Sequence, residues 1–118
     1  MNDRFRFRVW DIKNNRYAQF IYENFYEYLT MPNRCVVEQC TGLKDKNGNL
    51  IYEGDIVEST IATRKNKPAR DVVKYDNEFA GFDPMCCYDC DCGIYNPADE
   101  LVVIGNIHEN PELIKEDK

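Results

Sequence analysis

The sequence predicts a small, mainly β domain that bends into a barrel or pseudo-barrel, with strands at its N-terminal end and little helix. Short runs of strand-forming residues alternate with turn residues along most of the chain. In the central TGLKDKNGNLIYEGDIV two reversals, at Asn47-Gly48 and Gly54-Asp55, follow each other so closely that the intervening strand must bend sharply. Helical spacing of apolar residues occurs in one place, Ile21, Phe25 and Leu29.

In chain order, RFRFRVW places Phe5, Phe7 and Val9 on one face of a strand. Arg4, Arg6, Arg8 and Trp10 take the other; the basic row could line a nucleic-acid surface, and the favoured reading is a solvated face with Trp10 covering an edge. Asp11 to Asn15 supplies turn residues, and YAQFIY is a second strand. ENFYEYLTM is read as one short helix, ended by Pro32 and Asn33. RCVVEQ leads as a strand into the central motif. There Asn47 and Gly48 tolerate the positive dihedrals of a hairpin turn, and Gly54 and Asp55 make the second reversal before IVEST. RKNKPARD, residues 64–71, reads as a polar loop at a hairpin tip between IVESTIA and DVVKYD. Asp76 to Phe82 is a turn with Gly81, and Asp83 to Asp99 a long loop. ELVVIGNI is the last strand, followed by NPELI as a surface turn or a single helical turn.

At 118 residues the chain fits one domain, 1–118, able to bury roughly two thirds of its unfolded surface. A composition of 43% hydrophobic and 31% charged residues is that of a folding chain. No apolar run approaches the roughly 20 residues of a spanning helix, and the N-terminus lacks a signal peptide's apolar block. These features lead to the expectation of a cytosolic protein without membrane contact. A net charge of -6 opposes an overall electrostatic grip on nucleic acid.

Three blocks, FRFRVWD, QCTGLKDKNGNLIYEGDIV and VVIGNIHENPEL, resemble the signatures of the YopX family of small proteins encoded by phages, prophages and mobile elements. The resemblance implies a mainly β architecture with an SH3-like barrel, a bacterial host, and no catalytic residues to carry over. Two positions depart from it: Cys40 stands where an aromatic or other apolar residue is expected, and His108 where Tyr is usual. The cysteine-rich stretch before the last strand falls in the family's variable region.

Beside the resemblance, the residues offer few chemical sites. MCCYDCDCG crowds Cys86, Cys87, Cys90 and Cys92 together, and the CxxC of Cys87 and Cys90 could supply two zinc ligands. A second, distant CxxC is missing, and Cys35 and Cys40 lie far off in sequence, so the thiols are read as reduced and non-ligating. His108, the only imidazole, has Glu109 beside it but pointing to the opposite face of a continuing strand. Asp45, Glu53, Asp55 and Asp76 all sit in turn sequence, where acids bond to the backbone. No nucleophile elbow, phosphate loop, zinc-protease or dinucleotide motif occurs. The expectation is a non-enzymatic accessory protein without cofactor, acting as a protein-interaction or self-assembly module on a host or phage protein or on its own copies. The alternative is nucleic-acid contact through Arg64, Lys65, Lys67, Arg70 and Lys74. Elemental analysis of protein purified without chelators is expected to find no stoichiometric metal. About one zinc per chain, lost together with folding when Cys87 and Cys90 are replaced, would overturn that expectation.

Overall fold

The computed structural model describes residues 5–18, 34–85 and 97–115. The helix expected in ENFYEYLTM, the end of the YAQFIY strand and the cluster Cys86, Cys87, Cys90 and Cys92 lie outside the described residues. Within them run β1 (Phe7–Asp11), β2 (Arg16–Tyr17), β3 (Cys35–Lys44), β4 (Leu50–Tyr52), β5 (Asp55–Arg64), β6 (Lys67–Val72), β7 (Lys74–Asp76), β8 (Gly81–Asp83) and β9 (Leu101–Asn106). A 3-10 turn at Ala98–Glu100 precedes β9, and a single helical turn, α1 (Glu112–Lys115), follows it.

The strands form a four-stranded sheet in the order β2-β1-β3-β4, a three-stranded sheet β6-β5-β9 and a separate ribbon β7-β8. All pairs are antiparallel. The long strands β3 and β5 organise this pattern. The first half of β3 pairs with β1, setting Phe7 opposite Gln39 and Asp11 opposite Cys35, and its second half pairs with β4. The Glu53-Gly54 reversal then carries the chain into β5. Gly54 N–H donates to Val73 O at 2.9 Å, and Ile107 N–H donates to Gly54 O at 2.9 Å. Lys46 N–H donates to Leu101 O at 2.8 Å, tying the β3–β4 turn to β9. These links curl the sheets toward each other into the mainly β, half-closed barrel of SH3-like kind that the sequence predicts. Ile51, Val57, Val73, Met85 and Leu101 fill its interior, with Phe82, Ala98 and Val103 packed on them. Each large side chain fully buried there contributes about 1.5–3 kcal/mol.

The turns differ from the expected ones in detail. In the β3–β4 turn Gly48 has φ +85° and Asn47 stays outside the left-handed region. The Asp45 side chain does the rest, accepting N–H groups from Asn47 at 2.9 Å, Asn49 at 2.8 Å and Val103 at 2.9 Å. Burial pushes the Asp45 carboxyl up, but the Val103, Asn49 and Asn47 donors outweigh it and hold it below the usual carboxylate range. Residues 64–71 are mostly strand, because the hairpin closes through two left-handed residues, Lys65 (φ 54°) and Asn66 (φ 65°). Their charged side chains disguise a strand whose inward residue is Ala69. Pro68 is tolerated because β6 is an edge strand.

The face assigned to β1 also needs correction. Trp10 is only 5% exposed and Arg8 is half-buried, whereas Phe5 is 56% exposed. The turn after β9 covers Trp10 through His108, and Tyr17 and Tyr52 cover Arg8, so this face is interior.

Gly54 and Gly48 share φ +85° but not surroundings. A Cβ on Gly54 would strike the Glu38 carboxylate, with Cδ at 2.9 Å, while one on Gly48 meets nothing within 4 Å. Gly48→Ala is expected to cost about 1 kcal/mol from backbone strain alone. Gly54→Ala should cost about 3 kcal/mol because strain and overpacking combine. Equal losses in denaturant titrations would refute this distinction.

Candidate functional site

The polar residues that the fold gathers most tightly lie where β1, β3, the start of β5 and the turn after β9 meet. Glu38, buried in the middle of β3, is their centre. Its Oε1 accepts Arg8 Nε–H at 2.8 Å and the Tyr17 hydroxyl at 3.0 Å. Its Oε2 lies 3.0 Å from His108 Nε2, which donates to it. Arg8 continues the chain of contacts through Nη2, which donates to Asp55 Oδ1 at 2.8 Å and to Glu53 O at 3.0 Å. The second Asp55 oxygen accepts Tyr52 N–H at 2.7 Å.

Local structure aims each of these groups. Alternation along paired strands puts Arg8 and Glu38, directly opposite in register, on one face. Asn106 folds the segment after β9 by accepting His108 N–H at 3.0 Å and Glu109 N–H at 2.9 Å on its side-chain oxygen. That turn lays the His108 ring on Trp10, with centroids 4.6 Å apart and planes 8° from parallel. The Arg8 guanidinium lies over the rings of Tyr17, at 4.6 Å, and Tyr52, at 4.8 Å.

The electrostatics follow from burial. For Arg8 the desolvation cost is exceeded by the pull of Asp55 and Glu38, so its pKa rises and it stays charged. Burial pushes the Asp55 carboxyl up, more than Arg8 and Tyr52 N–H draw it down. Burial, with Glu38 beside it, drives the Tyr17 phenol far above its ordinary value, so it remains a donor. Every carboxylate oxygen of Glu38 and Asp55 is occupied by a protein donor, which makes the cluster a clasp between distant segments.

Comparison with known proteins fits the same segments. A family model described as YopX protein matches residues 19–115. The chain belongs to the YopX family. The match contains the central and C-terminal signature blocks, and both supply the clasp, through Asp55 and through Asn106 and His108. A crystal structure of protein EF1440 from Enterococcus faecalis is similar to this YopX-family chain, with 26% identity and a TM-score of 0.58 over 92% of this chain and 96% of that one. No curated protein matches it.

The residues singled out from sequence are dispersed in this YopX fold. Asn47, Gly48, Gly54 and Asp55 are turn residues as expected, and Asp55 is in addition a buried partner of Arg8. Arg64, Lys65 and Lys67 share the β5–β6 tip, but Arg64 Nη2 lies 3.6 Å from Asp71. Arg70 is held by Glu58 at 3.0 Å and donates to Leu113 O at 3.1 Å. Lys74 lies beyond the other end of β6, eight residues along the chain from Asn66 at the tip. The five cations therefore do not form one patch. Cys35 and Cys40 are buried, and no group of three or more His, Cys, Asp or Glu residues among the described ones is placed to hold a metal.

Sequence reasoning missed Glu38, Tyr17 and the partner of His108. The available signal was an acid amid the apolar residues of RCVVEQ and an arginine row without an assigned counter-charge. Glu38→Gln is expected to cost about 3 kcal/mol, because it leaves Arg8 half-buried with one carboxylate fewer. His108→Tyr should cost less than about 1 kcal/mol, since ring stacking persists and a hydroxyl supplies a donor. Thermal melts of the two variants decide this; a larger loss for His108→Tyr would disprove the clasp's centre at Glu38.

Proposed function

We propose that this YopX-family protein is a non-enzymatic, phage- or prophage-type accessory protein that works in the cytosol of a bacterial host by docking on another protein or on its own copies. One observation carries this reading: among the described residues the β7-β8 ribbon pairs as a strand with neither of the two larger sheets, and it presents aromatic rings to solvent. Tyr75 is 47% and Phe79 50% exposed. Tyr75 and Phe82, edge to face at 5.3 Å, wall a groove of about 600 Å³ that is also lined by Gln39, Thr41, Glu53, Ala80 and Gly81. Aromatic rings flanked by amide, hydroxyl and carboxylate groups suit a polypeptide surface. The saturated carboxylates of the clasp support the absence of catalysis.

Nucleic-acid contact is the second reading, and exposed Lys65 and Lys67 at a projecting turn favour it. Affinity capture from host lysate with wild type and with Tyr75→Ser/Phe79→Ser separates the two. Wild type should retain a near-stoichiometric protein partner that the variant loses at unchanged melting temperature. Equal retention by both would overturn the ribbon's role. Submicromolar DNA binding at about 150 mM salt, flattened in its salt dependence by Lys65→Glu/Lys67→Glu, would put the second reading first.

A further inference from the structure

Backbone pairing builds a cationic patch that is scattered in the sequence. Arg16 lies opposite Asp11 across β1–β2, and Ile12 N–H donates to Arg34 O at 2.8 Å. Lys13, Arg16 and Arg34 thus meet at one end of the four-stranded sheet, around an Ile12 that is 46% exposed. Asp11, beside them, turns its carboxylate mainly into its own loop, where it accepts Asn14 Nδ2–H at 2.7 Å; Arg34 adds a weaker electrostatic pull on it from beyond ion-pair distance. None of the three cations comes within ion-pair distance of a carboxylate among the described residues.

The tip of the β7-β8 ribbon has the opposite character. Asp76 Oδ1 accepts Glu78 N–H at 2.8 Å and Phe79 N–H at 3.3 Å, which fixes the turn and leaves both side chains exposed. One acid and one apolar ring therefore project side by side. The sheet end offers the matching pair, cations and an apolar side chain.

We propose that this protein self-associates head to tail, the Glu78–Phe79 tip of one copy seating on the Ile12, Lys13, Arg16 and Arg34 end of another. This rests on the reading of the ribbon as a docking element and names its partner. Tip and patch are different surfaces, so the contact is heterologous, and each bound copy leaves a further tip and patch open. The turn of residues 77–80 that carries this tip covers less than the roughly 800 Å² per partner of a standard interface, which makes the association weak. Its ionic part makes it salt-sensitive.

Sedimentation velocity between about 10 µM and about 1 mM at low ionic strength reads such association. The weight-average sedimentation coefficient should climb with concentration without stopping at a dimer, and should fall back in about 500 mM salt. Glu78→Lys alone and Lys13→Glu/Arg16→Glu alone should each sediment as monomers. Their equimolar mixture should associate again, because each tip then faces an opposite charge. Absence of wild-type association at about 1 mM, indifference to both reversals, or failure of the mixture to recover would overturn the proposal. If the ribbon variant still loses a captured host protein, the docking reading survives that failure; if neither effect is seen, both fall.

Discussion

A single buried carboxylate holds the architecture in register. Glu38 accepts hydrogen bonds from β1, β2 and the turn after β9, and Arg8 extends the contact to the start of β5. Glu38, through its contact with His108, fastens the C-terminal turn to the N-terminal sheet, beside the backbone bond from Ile107 to Gly54. Its position also dictates the residue next to it in space, because the close approach of Gly54 leaves no room for a side chain. A charged group in such a place gives little net stability, since desolvation offsets most of the Coulomb attraction. Its effect is selective: a slip of one residue in β1–β3 pairing would turn Arg8 away from Glu38 and leave a carboxylate buried without a counter-charge.

The same burial changes the meaning of the chain's net charge. Glu38, Asp45 and Asp55 are counted in the total of -6, yet all three face inward. Exposed cations, meanwhile, gather at hairpin turns, where Lys13, Lys46 and Lys65 stand in solvent. A partner meets this arrangement of tips before it meets the average, so local charge governs which surfaces attract.

Much of the fold was legible in the sequence because its signals are local. Gly48 and Gly54 adopt the positive φ that turns need, and ELVVIGNI and IVEST mark real strands. The clasp was not legible in the same way. Whether Arg8 and Trp10 face water depends on what packs over them, and those coverings, Tyr52 on Arg8 and His108 on Trp10, come from far along the chain. Local reasoning also failed at Lys65-Asn66, where a two-residue reversal occurs without glycine, and at Lys67 to Arg70, where polar residues hide an edge strand. In the candidate site, Asp55 was visible as a turn acid, but its ion pair needed three-dimensional proximity to appear.

The stacking of His108 on Trp10 gives the molecule a built-in optical reporter. Each is the only residue of its type in the chain, so indole emission comes from one place and meets one imidazole. An imidazole in face contact drains the excited indole by electron transfer, most strongly when it is protonated. Opening of the C-terminal turn therefore brightens the native emission, with no label attached, and the closing of the chain's two ends can be followed in real time during refolding.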